Sequence, residues 1–348
     1  MKPVLLLRWL VLAIGTATAV ISLWATPLPA QAQAGSTFQR VKERGELICG
    51  VNNQLAGFGN VDASGKYVGF DIDICRAVSA AIFGNPDKVR YVYLTAANRQ
   101  SAMQSREVDL MSRNTTWTLT RDREWGVTFG PTTYYDGQGF MVRKALNISS
   151  LKDLSGATIC VIAGTTTELN LADTFRALGI AFTPVTFDGD DSSYNAYDEG
   201  RCDAITSDQS ALIARRTTLK KPDDHVILGD VISKEPLGPL VSQGDEQFSD
   251  IMNWTVYALF YAEEKGITSA NVEQIANTSK DPDILRFLGK DGNLGEVLGL
   301  PADWTVKIIK AVGNYGEMFE RHLTPLGVER GLNRPYNQGG IQYAPPFR

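Results

Sequence analysis

The stretch LKDLSGATICVIAGTTTELNLADTFRALG (residues 151–179) decides the fold of this chain. Its apolar centre predicts a buried strand that ends at Gly164. A helix should follow directly, because apolar residues recur at helical spacing and a glycine stands where the helix would end. The positions are Leu169, Ala172, Phe175, Leu178 and the terminal Gly179. A strand that leads straight into a helix is the repeating unit of a parallel α/β sheet.

The same alternation of strand and helix precedes this stretch and continues after it. Residues 40–140 form one such series, in which a helix is expected to be capped by Asp71 and to end at Gly84. Residues 150–235 form a second series. The sequence therefore predicts an α/β fold with two parallel sheets covered by helices.

Two further tracts are expected to connect these series, and they predict a hinge. Residues 138–144 and 236–244 read as strands that lead from one unit to the other and back, and the chain turns helical beyond Asp245. The expected division is lobe 1 at 35–140 and 241–348, and lobe 2 at 141–240, with hinge strands at about 138–144 and 236–244.

Residues 1–34 read as a signal peptide. Lys2 and Arg8 form a short basic region, an apolar run follows, and a small-x-small pattern predicts cleavage near Ala34. A retained membrane anchor is the alternative. No cysteine precedes Cys49, which argues against a lipoprotein anchor at the cleavage site. We expect an exported protein of the periplasm.

Charge and composition weigh against several classes of function. The chain has 348 residues and a formal net charge of −5, and loss of two basic leader residues would make it −7. Nucleic-acid binding would need a basic face, so it is not expected. His225 and His322 are the only histidines, which makes a zinc site improbable. No phosphate-binding loop, dinucleotide fingerprint or nucleophile elbow is present, so neither a cofactor nor a catalytic residue is predicted.

The four cysteines are compatible with disulfides in an oxidising compartment. They are Cys49, Cys75, Cys160 and Cys202, and four cysteines allow three pairings. We prefer Cys49–Cys75 and Cys160–Cys202, because each pair then lies within one expected lobe. Free buried thiols remain the alternative.

Three short motifs could bind the charged head of a small molecule. Thr165 and Glu168 are spaced as a capping box, and the helix end they open would attract an anion. Thr116 and Arg121 lie in NTTWTLTR, where the guanidinium offers a bidentate fork for a carboxylate. Asp208 follows a strand, where ligands of open α/β sheets gather. Each motif also has a purely structural reading, as a helix cap or a solvated turn. Together they match the carboxylate and ammonium of an α-amino acid.

Several longer motifs resemble those of a known family. YVGFDIDICRAV, VDLMSRNTTWTLTR, LKDLSGATICVIAGTTTEL and GRCDAITSDQSAL resemble the successive signatures of periplasmic polar amino-acid-binding proteins of ABC transporters, solute-binding protein family 3. ISKEPLGPLVSQGD, VGNYGEMFERHL and GGIQYAPPFR resemble its general L-amino acid-binding branch. The resemblance covers essentially all of residues 37–348. It implies the type II periplasmic binding protein fold, with two lobes that close on the ligand.

The resemblance also implies a set of ligand-binding residues. They are Asn52, Phe58, Asn114, Thr116, Arg121, Thr165, Thr166 and Asp208. Arg121 corresponds to the arginine that binds the carboxylate, and Asp208 to the aspartate that binds the ammonium. The spacing to Phe129 departs from the family by a two-residue insertion, so Arg123 is the alternative for the carboxylate.

The implied function is the capture of L-amino acids for a membrane permease. A broad range of polar and aliphatic amino acids is expected, because no aspartate stands at Asn52 and no additional arginine is evident for a dedicated glutamate site. A monomer is expected. One alternative is a dehydratase on the same fold, acting on a prephenate-like or arogenate-like acid, with Glu168 as its only candidate acid. A sensory ligand-binding module is the other.

Overall fold

The computed structural model describes residues 36–348, so the predicted signal peptide lies outside the described residues. The strands are β1 (Leu47–Val51), β2 (Gln54–Leu55), β3 (Gly59–Val61), β4 (Tyr67–Val68), β5 (Val89–Tyr93), β6 (Leu110–Met111), β7 (Val127–Phe129), β8 (Tyr134–Asp136), β9 (Gln138–Arg143), β10 (Thr158–Ile162), β11 (Thr183–Phe187), β12 (Ala204–Asp208), β13 (His225–Ile227), β14 (Glu235–Leu237) and β15 (Leu240–Ser242). The helices are α1 (Thr37–Arg44), α2 (Phe70–Phe83), α3 (Arg99–Gln104), α4 (Leu119–Glu124), α5 (Thr166–Leu178), α6 (Asp190–Asp198), α7 (Gln209–Arg216), α8 (Glu246–Glu264), α9 (Val272–Thr278), α10 (Pro282–Phe287), α11 (Leu294–Leu298), α12 (Trp304–Val312) and α13 (Tyr315–His322).

Two five-stranded sheets of the same design organise the chain. The first has the order β5-β1-β6-β15-β7, and the second has the order β11-β10-β12-β9-β13. In each sheet the first three strands are parallel and the fourth is antiparallel to its neighbours. All five residues of β1 are buried, as expected for a parallel strand covered on both faces. The prediction of an α/β fold is confirmed.

The chain passes between the sheets twice, in segments slightly offset from the predicted hinge strands. β8 and β14 make the two passages and pair with each other, with Glu235 opposite Asp136 and Leu237 opposite Tyr134. The tract predicted at 138–144 is instead β9, an antiparallel member of the second sheet. The tract predicted at 236–244 is divided between β14 and β15. β9 is buried along most of its length, which explains why its apolar sequence fits a sheet interior.

Helix α2 begins differently from the prediction and ends as predicted. Its N-cap is Gly69, whose φ of 138° suits glycine, and a Cβ there would lie 2.2 Å from the carbonyl oxygen of Phe58. Asp71 does not cap the helix. Its Oδ2 accepts a hydrogen bond from the backbone N–H of Asn114 at 2.7 Å. Gly84 ends the helix in the left-handed conformation, as expected.

The C-terminal helices extend the core of the first sheet. α12 packs on α2 and α8, and the large buried cluster includes residues from α1 to the C-terminus. Phe347, near the end of the sequence, packs against a group of aromatic rings. The ring contacts are with Trp254, Tyr261, Phe287 and Trp304. The last residues are therefore part of the folded core.

Two disulfides each tie a helix or loop to a strand. Cys49 of β1 is bonded to Cys75 of α2, with the Cα atoms 6.2 Å apart. Cys160 of β10 is bonded to Cys202, just before β12, with the Cα atoms 5.7 Å apart. This is the pairing preferred from the sequence.

Across residues 36–348, none of the helices combines the length and the apolar character that crossing a membrane requires.

Candidate functional site

A small polar cavity lies where the carboxyl ends of strands from both sheets meet. Residues that follow β5 and β6 line one side, and residues at or after the ends of β10, β11 and β12 line the other. The lining residues are Ala96, Arg99, Arg113, Asn114, Thr116, Arg121, Ile162, Thr165, Thr166, Thr167, Asp190, Ser207 and Asp208. The carboxyl edge is the usual ligand side of open α/β sheets.

The N-terminus of α5 faces this cavity, as its capping sequence predicted. Thr165 is the N-cap residue, and its Oγ1 accepts from the N–H of Glu168 at 3.1 Å. The Glu168 carboxylate in turn accepts from the N–H of Gly164 at 2.8 Å. The cap therefore leaves the first turn of a 13-residue helix directed at the cavity, where the backbone dipole favours an anion.

Arg121 reaches the cavity, whereas Arg123 does not line it. Thr118 caps the short helix α4 by accepting from the N–H of Arg121, which turns the Arg121 side chain inwards. Its Nη1 donates to the carbonyl oxygen of Thr116 at 3.0 Å, and its guanidinium lies 5.2 Å from the ring centre of Trp125. Arg123 is exposed and borders a separate surface depression beside Glu124.

Asp208 supplies a buried carboxylate to the cavity lining, and the carboxylate of Asp136 lies near it outside that lining. Asp208 occupies the N-cap position of α7, but its side chain makes no capping bond. Burial raises its pKa well above the usual range, and the Asp136 and Glu235 carboxylates add to this effect, while Arg121 opposes it. Burial likewise raises the pKa of Asp136 to about 6, although Ser210 stabilises its ionised form. An ammonium group would favour ionised Asp208.

Two buried arginines that the sequence analysis did not select also line the cavity. Arg99 donates to the carbonyl oxygens of Ala96 and Gly164 at 3.2 and 3.5 Å. Arg113 donates from Nε to the carbonyl oxygen of Leu94 at 2.7 Å. Burial is the main cause that lowers the pKa of both arginines. The sequence analysis found no additional arginine evident for a dedicated glutamate site, and the structure brings these two to the cavity lining. No local pattern distinguished these two residues from exposed arginines, although Arg113 directly precedes the Asn114 motif.

The remaining predicted residues occupy different positions around the cavity. Asn114 lines it, and its buried Oδ1 has no hydrogen-bond partner within residues 36–348. Asn52 is fully buried behind the lining residue Asp190, to which its Nδ2 donates at 3.1 Å. Phe58 is not brought to the cavity. It is packed in the core against Phe70 and Tyr134, because the loop that carries it folds back over α2.

Thr116 and Thr166 lie across the cavity from each other and contact a third residue. Their Oγ1 atoms are 3.3 Å apart, and both donate to Oε2 of Glu235, at 2.6 and 2.8 Å. Glu235 was not selected from the sequence, since nothing in SKEPLG distinguishes its carboxylate from an exposed one.

In the described part of the chain, no three His, Cys, Asp or Glu side chains are grouped so as to hold a metal ion.

Comparisons with known proteins identify the family. Residues 47–266 match the bacterial extracellular solute-binding proteins, family 3. The general L-amino acid-binding periplasmic protein AapJ of Rhizobium johnstonii is 54% identical over 336 residues, which cover 95% of this chain and 98% of the relative. The glutamate/glutamine/aspartate/asparagine-binding protein BztA of Rhodobacter capsulatus is 50% identical over 324 residues, 92% of this chain and 96% of the relative.

The solved structures agree with the sequence relatives. A structure described as an ABC transporter periplasmic binding protein from Brucella ovis with glutathione bound has a TM-score of 0.87 and 52% identity, and covers 90% of this chain and 99% of its own. The fold is thus the type II periplasmic binding protein fold, as expected. These relatives are solute-binding proteins and lend no support to the dehydratase alternative. The chain belongs to the bacterial extracellular solute-binding proteins, family 3.

Proposed function

We propose that this protein captures L-amino acids in the periplasm and delivers them to the permease of an ABC transporter. The observation that carries the proposal is the convergence of Arg121, the N-terminus of α5 and Asp208 on one cavity. These groups complement the two charges of an α-amino acid, which no single motif could do. The names and similarity of AapJ and BztA support the same function.

The head of the ligand would be held from both sides of the cavity. Arg121 and the backbone N–H groups at the first turn of α5, near Thr165 and Thr166, would bind the carboxylate. Asp208 would bind the ammonium. Burial of Arg121 lowers its pKa to about 10, while the Glu235 and Asp208 carboxylates oppose this shift, so it remains a cation at neutral pH. A charge-assisted pair of this kind contributes about 1.5–3 kcal/mol.

The rest of the cavity favours ligands with polar side chains, including acidic ones. Arg99 and Arg113 add two guanidinium groups, and Asn114 offers an unpaired amide oxygen. The apolar side chains of the lining are those of Ala96 and Ile162. Glutamate, glutamine, aspartate and asparagine are therefore proposed as the best ligands, in agreement with the name of BztA, and aliphatic amino acids as weaker ones.

Binding would be coupled to closure of two lobes about β8 and β14. The proposed lobes are residues 35–140 with 241–348, and residues 141–240. A ligand that contacts both lobes stabilises the closed state by its differential affinity for that state. Micromolar binding corresponds to about −8 kcal/mol, which a few charge-assisted contacts can largely supply. The closed, ligand-loaded form would be the one that the permease recognises.

The location and assembly follow from the same proposal. We expect export to the periplasm, with cleavage of the leader near Ala34, as supported by its sequence and by the periplasmic names of the relatives. We expect a monomer, because a single chain contributes every group that the ligand needs.

The test is calorimetry on the mature protein, starting at residue 35, after ligand has been removed by reversible unfolding. Each of the common L-amino acids is titrated, with D-glutamate and D-glutamine as controls and reduced glutathione as a further ligand. We expect the four acidic and amide L-amino acids to bind and the D-enantiomers not to bind. Binding of glutathione without binding of any free amino acid would overturn the proposal.

A further inference from the structure

Glu235 is a buried carboxylate at the point where the chain crosses between the two lobes. It is the first residue of β14 and only 1% exposed. It stands opposite Asp136 of β8 in the two-stranded ladder that joins the lobes. The role of Glu235 concerns the closure step, so the inference rests on the proposed function.

The carboxylate of Glu235 is saturated by four hydrogen-bond donors. Oε2 accepts from Thr116 at 2.6 Å and from Thr166 at 2.8 Å. Oε1 accepts from Asn170 at 2.8 Å and from Ser233 at 2.5 Å. A carboxylate has about four lone-pair sites, so these donors leave no site for a ligand cation. Glu235 therefore acts on the site through its neighbours.

The donors come from both sides of the cavity. Thr116 follows β6 of the first sheet, and its backbone pairs with Leu237 of the crossing strand. Thr166 and Asn170 lie in the first turns of α5, which follows β10 of the second sheet. Separation of the two sides would have to break either the bond from Thr116 or the bonds from α5. Both sets of bonds are charge-assisted, the Thr116 bond is buried and the bonds from α5 are partly buried, which makes them stronger than neutral bonds at the surface.

The same bonds decide what the two threonine hydroxyls can offer a ligand. A hydroxyl has one proton, and Thr116 and Thr166 each direct theirs at Glu235. Towards the cavity they can then present only lone pairs. Such groups accept from a ligand ammonium and cannot donate to a ligand carboxylate. Thr116 would thus work beside Asp208 rather than beside Arg121.

We propose that Glu235 is the positioning residue for closure: it ties Thr116 of lobe 1 to Thr166 and Asn170 of lobe 2, and it turns both threonine hydroxyls into acceptors for the ligand. The tie forms only when the lobes are together. The protein without ligand therefore has a closed population that depends on Glu235.

The test measures the distance between the lobes in the absence of ligand. Spin labels or fluorophores are attached to cysteines introduced by Asp87→Cys and Arg176→Cys, two exposed positions in lobe 1 and lobe 2. Glu235→Ala should reduce the ratio of closed to open molecules by about tenfold or more. Glu235→Gln keeps one acceptor oxygen and should restore part of the closed population. Thr116→Val and Thr166→Val should shift the distance in the same direction as Glu235→Ala, and they keep the assay informative should that variant fail to fold.

Ser233→Ala is the matched control, because it removes a donor to Glu235 that lies on the same segment and joins nothing across the cavity. It should leave the distance distribution unchanged. A second readout is the affinity for glutamate and for glutamine. Glu235→Gln should weaken the two affinities by the same factor. The substitution lowers the closed fraction of the ligand-free protein, and every ligand binds to that closed form.

Three outcomes would overturn the proposal. They are a ligand-free protein that is entirely open before substitution, a distance unaffected in both Glu235 variants, and an effect of Ser233→Ala as large as that of Glu235→Ala. None of these outcomes depends on which amino acid binds. A failure of the role proposed for Glu235 is therefore distinguishable from a failure of amino-acid capture.

Discussion

Asn52 and Asp190 join the two sheets behind the cavity, with Nδ2 of Asn52 donating to Oδ2 of Asp190 at 3.1 Å. The residues are 138 positions apart in the chain. Nearby, Arg215 of α7 donates to the carbonyl oxygen of Gln54 at 3.0 Å and forms an ion pair with Asp191 at 2.9 Å. This second set of polar contacts lies apart from Glu235, so the two sides of the cavity are held together at two places.

Loss of Asn52 should weaken the arrangement around Asp190. Asn52→Ala removes the amide that donates to a buried carboxylate, and we expect the free energy of unfolding to fall by about 1–3 kcal/mol. Affinity for glutamine should fall as well, because the closed state loses a contact. Chemical denaturation and calorimetry measure the two effects. Asn195→Ala, at an exposed position of α6, is the control and should change neither quantity.

Arg121 should bind the carboxylate of the ligand, and Arg123 should not. Arg121→Ala is expected to weaken binding of every amino acid by about 100-fold, the equivalent of a lost charge-assisted contact of about 3 kcal/mol. Arg123→Ala should leave the dissociation constant within about twofold, since an exposed residue outside the cavity contributes little. Calorimetry on both variants decides between them. Normal binding by Arg121→Ala would reject the assignment.

Arg113 should determine the preference for acidic ligands. Arg113→Gln removes a cation from the cavity while retaining a polar side chain that can donate to the Leu94 carbonyl. We expect affinity for glutamate to fall about tenfold more than affinity for glutamine, because only glutamate carries a second negative charge. Competition between the two ligands measures the ratio directly. An equal loss for both would assign Arg113 a structural role alone.

Asp136 should make folding stability depend on pH. Its pKa is raised to about 6 in the folded protein, mainly by burial, whereas an unfolded aspartate titrates near its usual value of 3.8. Between these values the folded state holds a proton that the unfolded state has lost, so this contribution to stability is present at low pH and disappears as pH rises through about 6.

Asp136→Asn should therefore stabilise the protein relative to the native sequence increasingly from pH 4 to pH 7, by on the order of 2 kcal/mol over that range. Denaturant unfolding at several pH values measures the difference between the two proteins. Asp173→Asn, at an exposed site on α5, should give a difference that does not vary with pH. A flat profile for Asp136→Asn would contradict a raised pKa for the Asp136 carboxyl.

The disulfides should stabilise each lobe independently. Replacing Cys160 and Cys202 together by serine opens a loop with a sequence separation of 42, which should lower the free energy of unfolding by about 4 kcal/mol. The Cys49–Cys75 pair, with a separation of 26, should contribute about 3.5 kcal/mol. Denaturation of the two double variants measures these values. Full stability of either variant would show that its covalent link contributes nothing.

Local patterns predicted several features of the cavity lining. The α5 cap at Thr165 and Glu168 and the inward direction of Arg121 depend on residues within four positions of each other, so the sequence contains their full geometry. Phe58 could not be placed in this way. Its neighbours Phe70 and Tyr134 are distant in sequence, and an aromatic residue in a loop suits a ligand or a core equally.

The sequence by itself determined the alternation of strands and helices, the two crossings of the chain and the chemical types that would complement a zwitterion, because these depend on short-range periodicity and capping. Only the tertiary structure decided which charges share the cavity. Arg99 lies in α3 and Arg113 follows β6, while Glu235 begins β14 and contacts the lining residue Thr116 across 119 positions of chain. Hydrogen bonds between such distant residues depend on how the two sheets face each other, and no local pattern contains that information.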